Sequence, residues 1–143
     1  MSHDPNSTAA FLQIGYRPDS GLLIGRWLCS ITDEQLRQGY GSMRRAAQEE
    51  QCRHWLVDAR RRTDRRLNGP EWVVTHFLPE VQREIGNTLR VAFLLLPNHL
   101  REIEEDASLS ENKPSPNASF QYARFIDEGP ANDWLDQHRR GGG

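Results

Sequence analysis

A dense cluster of arginines near the middle of the chain is the clearest candidate for chemistry. Residues 60–66 contain five arginines and one acidic residue, Asp64; the arginines are Arg60, Arg61, Arg62, Arg65 and Arg66. Each guanidinium group presents planar, bidentate donors that match phosphate and carboxylate groups. The pattern therefore predicts a site for an anion: a phosphorylated ligand, an acidic partner surface or the backbone of a nucleic acid.

The composition of the chain offers a second interpretation of the same cluster. The 143 residues include 17 arginines but only one lysine, Lys113, so a general preference for arginine produces such clusters without any function. On that interpretation, residues 60–66 form a solvated loop. Nucleic acid is not expected as a partner, because the net charge is −2 and no aromatic side chains alternate with the arginines for base stacking.

The flanking residues indicate how the cluster is positioned. Residues 54–59 are apolar and β-prone, which predicts a buried strand that ends at the cluster. Asn68, Gly69 and Pro70 then supply a helix start, with Asn68 as the N-cap. Open α/β sheets usually bind ligands at this edge, and the free amides of a helix start favour an anion. We therefore expect the working surface to comprise residues 58–71.

Three further residues belong to this predicted edge. Asp58 ends the buried strand, but no second acid lies near it, so its expected partner is an arginine. His99 follows Pro97 where a general base is often found, yet no Gly-x-Ser-x-Gly nucleophile accompanies it. Trp72 lies in the first turn of the helix, where it either packs in the core or anchors a ligand or partner. The candidate binding residues are Asp58, Arg60, Arg61, Arg62, Arg65, Asn68, Gly69, Trp72 and His99.

Several classes of protein are not expected. The chain has no glycine-rich phosphate loop, and Cys29 and Cys52 belong to no metal-binding array, so we predict no catalytic site, no metal and no cofactor. Residues 1–10 lack the order of a signal peptide, and the longest apolar run, residues 91–96, is too short to cross a membrane. We therefore expect a cytoplasmic protein with reduced thiols.

Hydrophobic periodicity predicts an α/β fold. The predicted strands cover residues 11–16, 22–28, 54–59, 89–96 and 120–126. Helices follow the second, third and fifth strands, and a short acidic helix over 98–107 follows the fourth. The first two strands should form an antiparallel hairpin, and the alternation of strands with helices predicts a mostly parallel sheet of about five strands. One domain should span residues 11–137, with flexible tails at 1–10 and 138–143.

Loose apolar patterns along the chain resemble those of small proteins of the STAS-like superfamily, named after sulphate transporters and anti-sigma-factor antagonists of bacteria. The resemblance rests on the opening hairpin, on His54-Trp55-Leu56-Val57-Asp58, on Trp72 with Leu78-Pro79, on Arg90-Val91-Ala92-Phe93, and on Phe125-Ile126-Asp127-Glu128 with Ala131 and Trp134-Leu135. It implies a regulatory role in which a serine at the start of the second helix is phosphorylated. Residues 67–70 contain no serine, and Thr63 is the one hydroxyl residue nearby.

The leading hypothesis from the sequence is a non-enzymatic regulatory or protein-interaction module. It would bind an acidic or phosphorylated partner protein through residues 58–71, with no role for nucleic acid or membrane. The alternative is a sensor that binds a lipid or nucleotide between the second helix and residues 98–119. An enzyme that uses Asp58 or His99 is a third hypothesis, and the sequence leaves both an anionic small ligand and a homodimer open.

Overall fold

A computed structural model of the protein describes residues 7–8, 11–62, 72–86, 88–105 and 120–142. These residues form a sheet of six strands whose order across the sheet is their order along the chain. The strands are β1 Ser7–Thr8, β2 Leu12–Arg17, β3 Leu22–Trp27, β4 His54–Asp58, β5 Leu89–Leu94 and β6 Phe120–Phe125. The helices are α1 Asp33–Glu50, α2 Leu78–Ile85, α3 Pro97–Glu105 and α4 Glu128–Gly142, and a π-helical turn, Val73–Phe77, leads into α2.

The sheet is mixed, with its antiparallel part at the N-terminal end. Strands β1, β2 and β3 pair antiparallel, whereas β3, β4, β5 and β6 pair parallel. The predicted α/β class, the opening hairpin and the mostly parallel sheet are therefore confirmed. Two features lie in the segments predicted as tails: Ser7–Thr8 pairs with β2, and α4 continues to Gly142.

Helix α1 begins where its sequence predicts. Residues 32–35 match a capping box, and Ile31 and Leu36 flank it as a predicted hydrophobic staple. The Thr32 hydroxyl accepts a hydrogen bond from the backbone N–H of Gln35 at 3.1 Å, and the Gln35 side chain accepts one from the Thr32 N–H at 3.0 Å. Both donors would otherwise lack a helical partner, so this exchange sets the first turn of α1.

The sheet is buried on both faces, and each face has its own core. Helix α1 and the π-helical turn with α2 cover one face, whose largest buried side chains are Leu23, Trp27, Trp55, Leu89 and Val91. Helix α4 covers the other face, where Ala131 and Leu135 pack on Leu22, Ile24, Leu56, Ala92 and Leu94. Successive side chains of a strand point to opposite faces, so the continuous apolar runs of β4 and β5 follow from this arrangement.

The segment before β5 accommodates a proline by changing helix type. Pro79 lacks a backbone N–H, and its ring would clash with the carbonyl four residues earlier in a regular α-helix. The chain instead forms the π-helical turn, in which the N–H of Leu78 donates to the carbonyl of Val73. Pro79 then falls in the first turn of α2, where no N–H is needed. A proline at position 79 predicts a kink or a break after Leu78, and the structure shows a change of helical pitch at this point.

The helices lie on the sheet as amphipathic elements. Helix α1, for example, buries Leu36, Tyr40 and Met43 while Asp33 and Glu34 face solvent. Within the described residues, no helix combines the length and the apolar character that a bilayer crossing requires.

Two glycines in α1 provide a matched test of how tightly this helix packs. A methyl group at Gly39 would overlap the ring of Trp27, with Cζ3 only 2.7 Å away, whereas a methyl group at Gly41 would meet open space. We expect Gly39→Ala to destabilise the protein by about 1–3 kcal/mol through overpacking. Gly41→Ala should stabilise it by about 0.5–1 kcal/mol, because alanine favours the helix. Urea unfolding of both variants measures the difference; equal stabilities would contradict close packing of α1 on Trp27.

Candidate functional site

Opposite charges lie side by side where β3 and β4 end. Arg26 and Asp58 are paired residues in the parallel register of these strands, so both side chains point to the α4 face. Arg26 Nη1 donates to Asp58 Oδ2 at 2.9 Å. Asp58 is the last residue of a fully buried strand, and 11% of its side chain is exposed to solvent. The pairing therefore places a carboxylate at the carboxyl edge of the sheet with a guanidinium group beside it.

Arg60 binds the same carboxylate through three donors. Its backbone N–H donates to Oδ1 at 3.1 Å, its Nε to Oδ1 at 3.0 Å and its Nη2 to Oδ2 at 3.0 Å. The N–H of Arg62 also donates to the carbonyl of Ala59 at 3.2 Å, which closes a turn over residues 59–62. We call residues 59–62 the arginine turn. Its conformation depends on Asp58, as the sequence interpretation of that residue predicts.

Helix α4 joins the same network. Glu128, the first residue of α4, accepts a hydrogen bond from Arg26 Nη2 at 2.6 Å. A carboxylate at this position also interacts favourably with the positive end of the helix dipole. Arg26 thus connects β3, β4 and α4, and the carboxyl edge becomes a four-residue ionic network of Arg26, Asp58, Arg60 and Glu128.

The network favours the charged form of Asp58. Burial by itself raises the pKa of this carboxyl group, but the hydrogen bonds from Arg60 and Arg26 outweigh burial. The pKa of Asp58 therefore lies below its ordinary value. The side-chain hydrogen bond from Arg60 to Asp58 in turn raises the pKa of Arg60. Asp58 is consequently charged near neutral pH and acts as a hydrogen-bond acceptor. A carboxyl group that serves as a general acid or base near neutral pH would need a raised pKa instead.

The three described arginines of the cluster, Arg60, Arg61 and Arg62, do not lie on one face of the sheet. Arg60 lies on the α4 side with Asp58, whereas the guanidinium group of Arg62 lies 5.6 Å from the centre of the Trp27 ring, on the α1 side. Arg61, between them, is exposed. A cation over an aromatic face is attracted by the ring's negative face. The charges of these three arginines are therefore directed to different sides of the sheet.

Trp72 packs among other aromatic rings. Its ring centre lies 5.3 Å from that of Phe77 and 6.3 Å from that of Tyr40, and the guanidinium group of Arg37 lies 4.9 Å from it. Tyr40 is buried beneath this cluster, and burial raises its pKa to about 12. Trp72 is partly buried. This packing matches the core alternative for Trp72, and the partner-binding alternative stays a prediction.

The other predicted residues are separate from the network or undescribed. His99 lies in the first turn of α3, partly exposed, and forms no hydrogen bond or ion pair with Asp58 or with the three arginines of the turn among the described residues. Four candidates lie outside the described residues: Thr63, Arg65, Asn68 and Gly69. Residues 106–119, which the lipid or nucleotide alternative requires, also lie outside them.

The described part of the chain offers no ready metal centre. No group of three or more histidine, cysteine, aspartate or glutamate side chains in it is placed to hold a metal ion. Two open grooves, of about 270 and 300 Å³, are both lined by Arg17, and the larger one is also lined by Arg26 of the ionic network.

Sequence reasoning missed Arg26 and Glu128, which complete the network. Arg26 interrupts an apolar strand one residue before its end, and Asp58 ends the next parallel strand. A charged residue near the end of each of two neighbouring buried strands is a signal for such a pair. Glu128 gives a weaker signal, because a carboxylate in the first turn of a helix has a local explanation.

The comparisons with known proteins leave the family open. No protein-family model, no curated protein and no solved structure matches the chain. The STAS-like assignment therefore stays a prediction, and the α/β architecture rests on the structure alone.

Replacing Asp58 tests the network and its pH dependence. In Asp58→Asn, two arginines lose a charged acceptor and gain an amide donor, so we expect a loss of about 1–3 kcal/mol of stability at neutral pH. Since the pKa of Asp58 is lowered by folding, this loss should be full above the ordinary value of 3.8 and should shrink as the pH falls below it. Chemical unfolding between pH 7 and acidic pH measures it. Glu49→Gln, at an exposed position of α1, is the control; a pH-independent difference for Asp58→Asn would contradict the network.

The two thiols should differ in reactivity. Cys52 is buried, its Sγ donates to the carbonyls of Gly21 and His54 at 3.3 and 3.2 Å, and burial raises its pKa to about 11. Cys29 is exposed. Because the thiolate is the reactive form, we expect iodoacetamide to modify Cys29 in the native protein and Cys52 only after unfolding. Peptide mass spectrometry identifies the modified residue; native labelling of Cys52 would contradict its burial.

Proposed function

We propose that this protein is a non-enzymatic regulatory module of STAS-like type. It binds an acidic or phosphorylated segment of a partner protein at the arginine turn, in a reducing, cytoplasmic compartment. The free state of both Cys29 and Cys52 is consistent with that compartment.

One observation carries the proposal: Asp58 holds Arg60 in a fixed geometry beside the exposed Arg61. The bidentate pair uses Nε and Nη2 of Arg60 and leaves Nη1 outside that pair, and 36% of the side chain is exposed. A guanidinium group ordered before binding loses less conformational entropy on binding. Two neighbouring arginines at the carboxyl edge thus suit a carboxylate or phosphate of a partner.

The surrounding charges set the strength of this interaction. Asp58 and Glu128 bind guanidinium groups directly, and Asp127 lies close enough to raise the pKa of Arg60. These carboxylates cancel much of the positive potential, so we expect a weak, salt-sensitive interaction that depends strongly on Arg61. Such affinity suits a transient regulatory contact.

Charge reversal at Arg61 tests the proposal without disturbing the fold, since Arg60 and Arg62 have structural partners but Arg61 is exposed. The probes are fluorescein-labelled peptides of equal length, one of glutamates and one with a central phosphoserine, and fluorescence anisotropy reports binding at low and physiological salt. We expect Arg61→Glu to weaken binding about tenfold, because an attraction within one Debye length becomes a repulsion.

Arg45→Glu is the matched control, since Arg45 is exposed on α1 and the change in net charge is the same. The affinity of Arg45→Glu for both peptides should stay near that of the wild type. A preference for either peptide identifies carboxylate or phosphate as the recognised group. Equal effects of the two charge reversals, or no binding of either peptide by the wild type, would remove the arginine turn as the binding surface.

A further inference from the structure

Arg26 is an ordered cation next to the arginine turn. It is the one charged residue of β3, and the other five residues of this strand are buried. Arg26 Nη1 and Arg60 Nη2 both donate to Asp58 Oδ2, at 2.9 and 3.0 Å. The other end of the Arg26 guanidinium group, Nη2, donates to Glu128 at 2.6 Å. Arg26 and Arg60 are therefore neighbouring cations, and Glu128 occupies the donor of Arg26 that Asp58 does not use.

The two carboxylates that bind Arg26 are held with different strength. Asp58 accepts four hydrogen bonds, and 11% of its side chain is exposed. The carboxylate of Glu128 accepts one hydrogen bond within the described part of the chain, from Arg26, and 38% of its side chain is exposed. An ion pair with this much exposure contributes little to stability. Glu128 can therefore be displaced from Arg26 far more easily than Asp58.

Open space adjoins Arg26 on the side away from Asp58. The larger of the two open grooves, of about 300 Å³, is lined by Arg26 and by Gln13 and Gly15 of β2. Gln13 is the register partner of Arg26 on β2, whereas Asp58 is its partner on β4. The described residues that line this groove include no acidic one. An anion from outside can therefore approach Arg26 from the β2 side, and Glu128 is the carboxylate that it has to replace.

The charge of the incoming group decides whether this replacement is favourable. A carboxylate of the partner would exchange like for like with Glu128 and would gain little from the exchange. A phosphoryl group carries a charge of about −1.5 to −2 near neutral pH and offers more acceptor oxygens than a carboxylate. It therefore attracts the guanidinium group of Arg26 more strongly than Glu128 does.

We propose that Arg26 is a second anion subsite beside the arginine turn, and that Glu128 masks it until a phosphoryl group of the partner displaces the Glu128 carboxylate. This inference rests on the proposed function, because the partner reaches Arg26 from the arginine turn. In the bound state, Arg26 Nη1 stays on Asp58 while Nη2 donates to a phosphoryl oxygen. A partner with carboxylates alone leaves Glu128 in place and uses the arginine turn only.

Two variants that each remove one negative charge test the masking. Glu128→Gln keeps the size of the side chain and releases Arg26, so it should strengthen binding of both labelled peptides about fivefold. Asp127→Asn is the matched control, since Asp127 is exposed and forms no ion pair within the described part of the chain. It should strengthen binding by less than about twofold, because salt screens an exposed charge. Fluorescence anisotropy at physiological salt measures both effects.

Arg26→Gln links the gain to Arg26. In that background, Glu128→Gln and Asp127→Asn should have the same small effect, because no guanidinium group remains to be released. NMR of the ¹⁵N-labelled wild type gives a readout that needs no variant. The phosphoserine peptide should shift the amide resonances of Arg26, Glu128 and residues 59–62, and the glutamate peptide those of residues 59–62 alone. The same spectra show that each variant is folded.

Failure of this inference is distinguishable from failure of the proposed function. Equal effects of Glu128→Gln and Asp127→Asn in the wild type would overturn the masking and leave the arginine turn as the binding surface. So would a phosphoserine peptide that shifts residues 59–62 but neither Arg26 nor Glu128. Tighter binding by Glu128→Gln that does not respond to Arg61→Glu would keep the Arg26 subsite and remove the arginine turn. Absence of binding by both the wild type and Glu128→Gln would remove both proposals.

Discussion

The parallel register of β3 and β4 is the constraint on which the candidate site depends. On the α4 face, Ile24 and Leu56 lie in one row across the sheet with Ala92, and Arg26 and Asp58 lie in the next row. A shift of β4 by one residue would turn Leu56 and Asp58 towards α1 and would place Trp55 and Val57 against α4 instead, so neither core would keep its packing. Burial of that row therefore holds the register, and the register brings Arg26 to Asp58. Packing in the middle of the sheet thus determines a charge pair at its edge.

The charge pair in turn shapes the surface around it. Burying a carboxylate lowers the stability of the fold unless several hydrogen-bond donors contact it. Asp58 obtains those donors from Arg26 and from the backbone and side chain of Arg60. The chain leaving β4 is consequently bent back on its own last residue, and Arg61 is left on the outside of the turn. Of the three arginines in the turn, Arg60 and Arg62 have partners within the fold, and Arg61 is the exposed one.

Helix α4 has a role at both edges of the sheet. Its first residue, Glu128, binds Arg26 beside the arginine turn, and its middle buries Ala131 and Leu135 on the sheet. Asp133 and Asp136, on either side of Leu135 in the chain, line an open groove at the edge where β3 begins. A single rigid element therefore contacts the carboxyl edge, the core and the opposite edge.

Local patterns in the sequence determined most of the architecture. The capping box at Thr32 and the apolar runs of β4 and β5 depend on neighbouring residues, so they were predictable from the chain itself, as was the pairing of Asp58 with an arginine. Only the tertiary structure decided which arginines pair with Asp58. It also decided that Arg62 lies over the ring of Trp27 instead. The same holds for Glu128, 102 positions from its partner Arg26. The physical reason is that periodicity records which face a residue occupies, whereas contacts across strands depend on a register that is set by packing over the whole sheet.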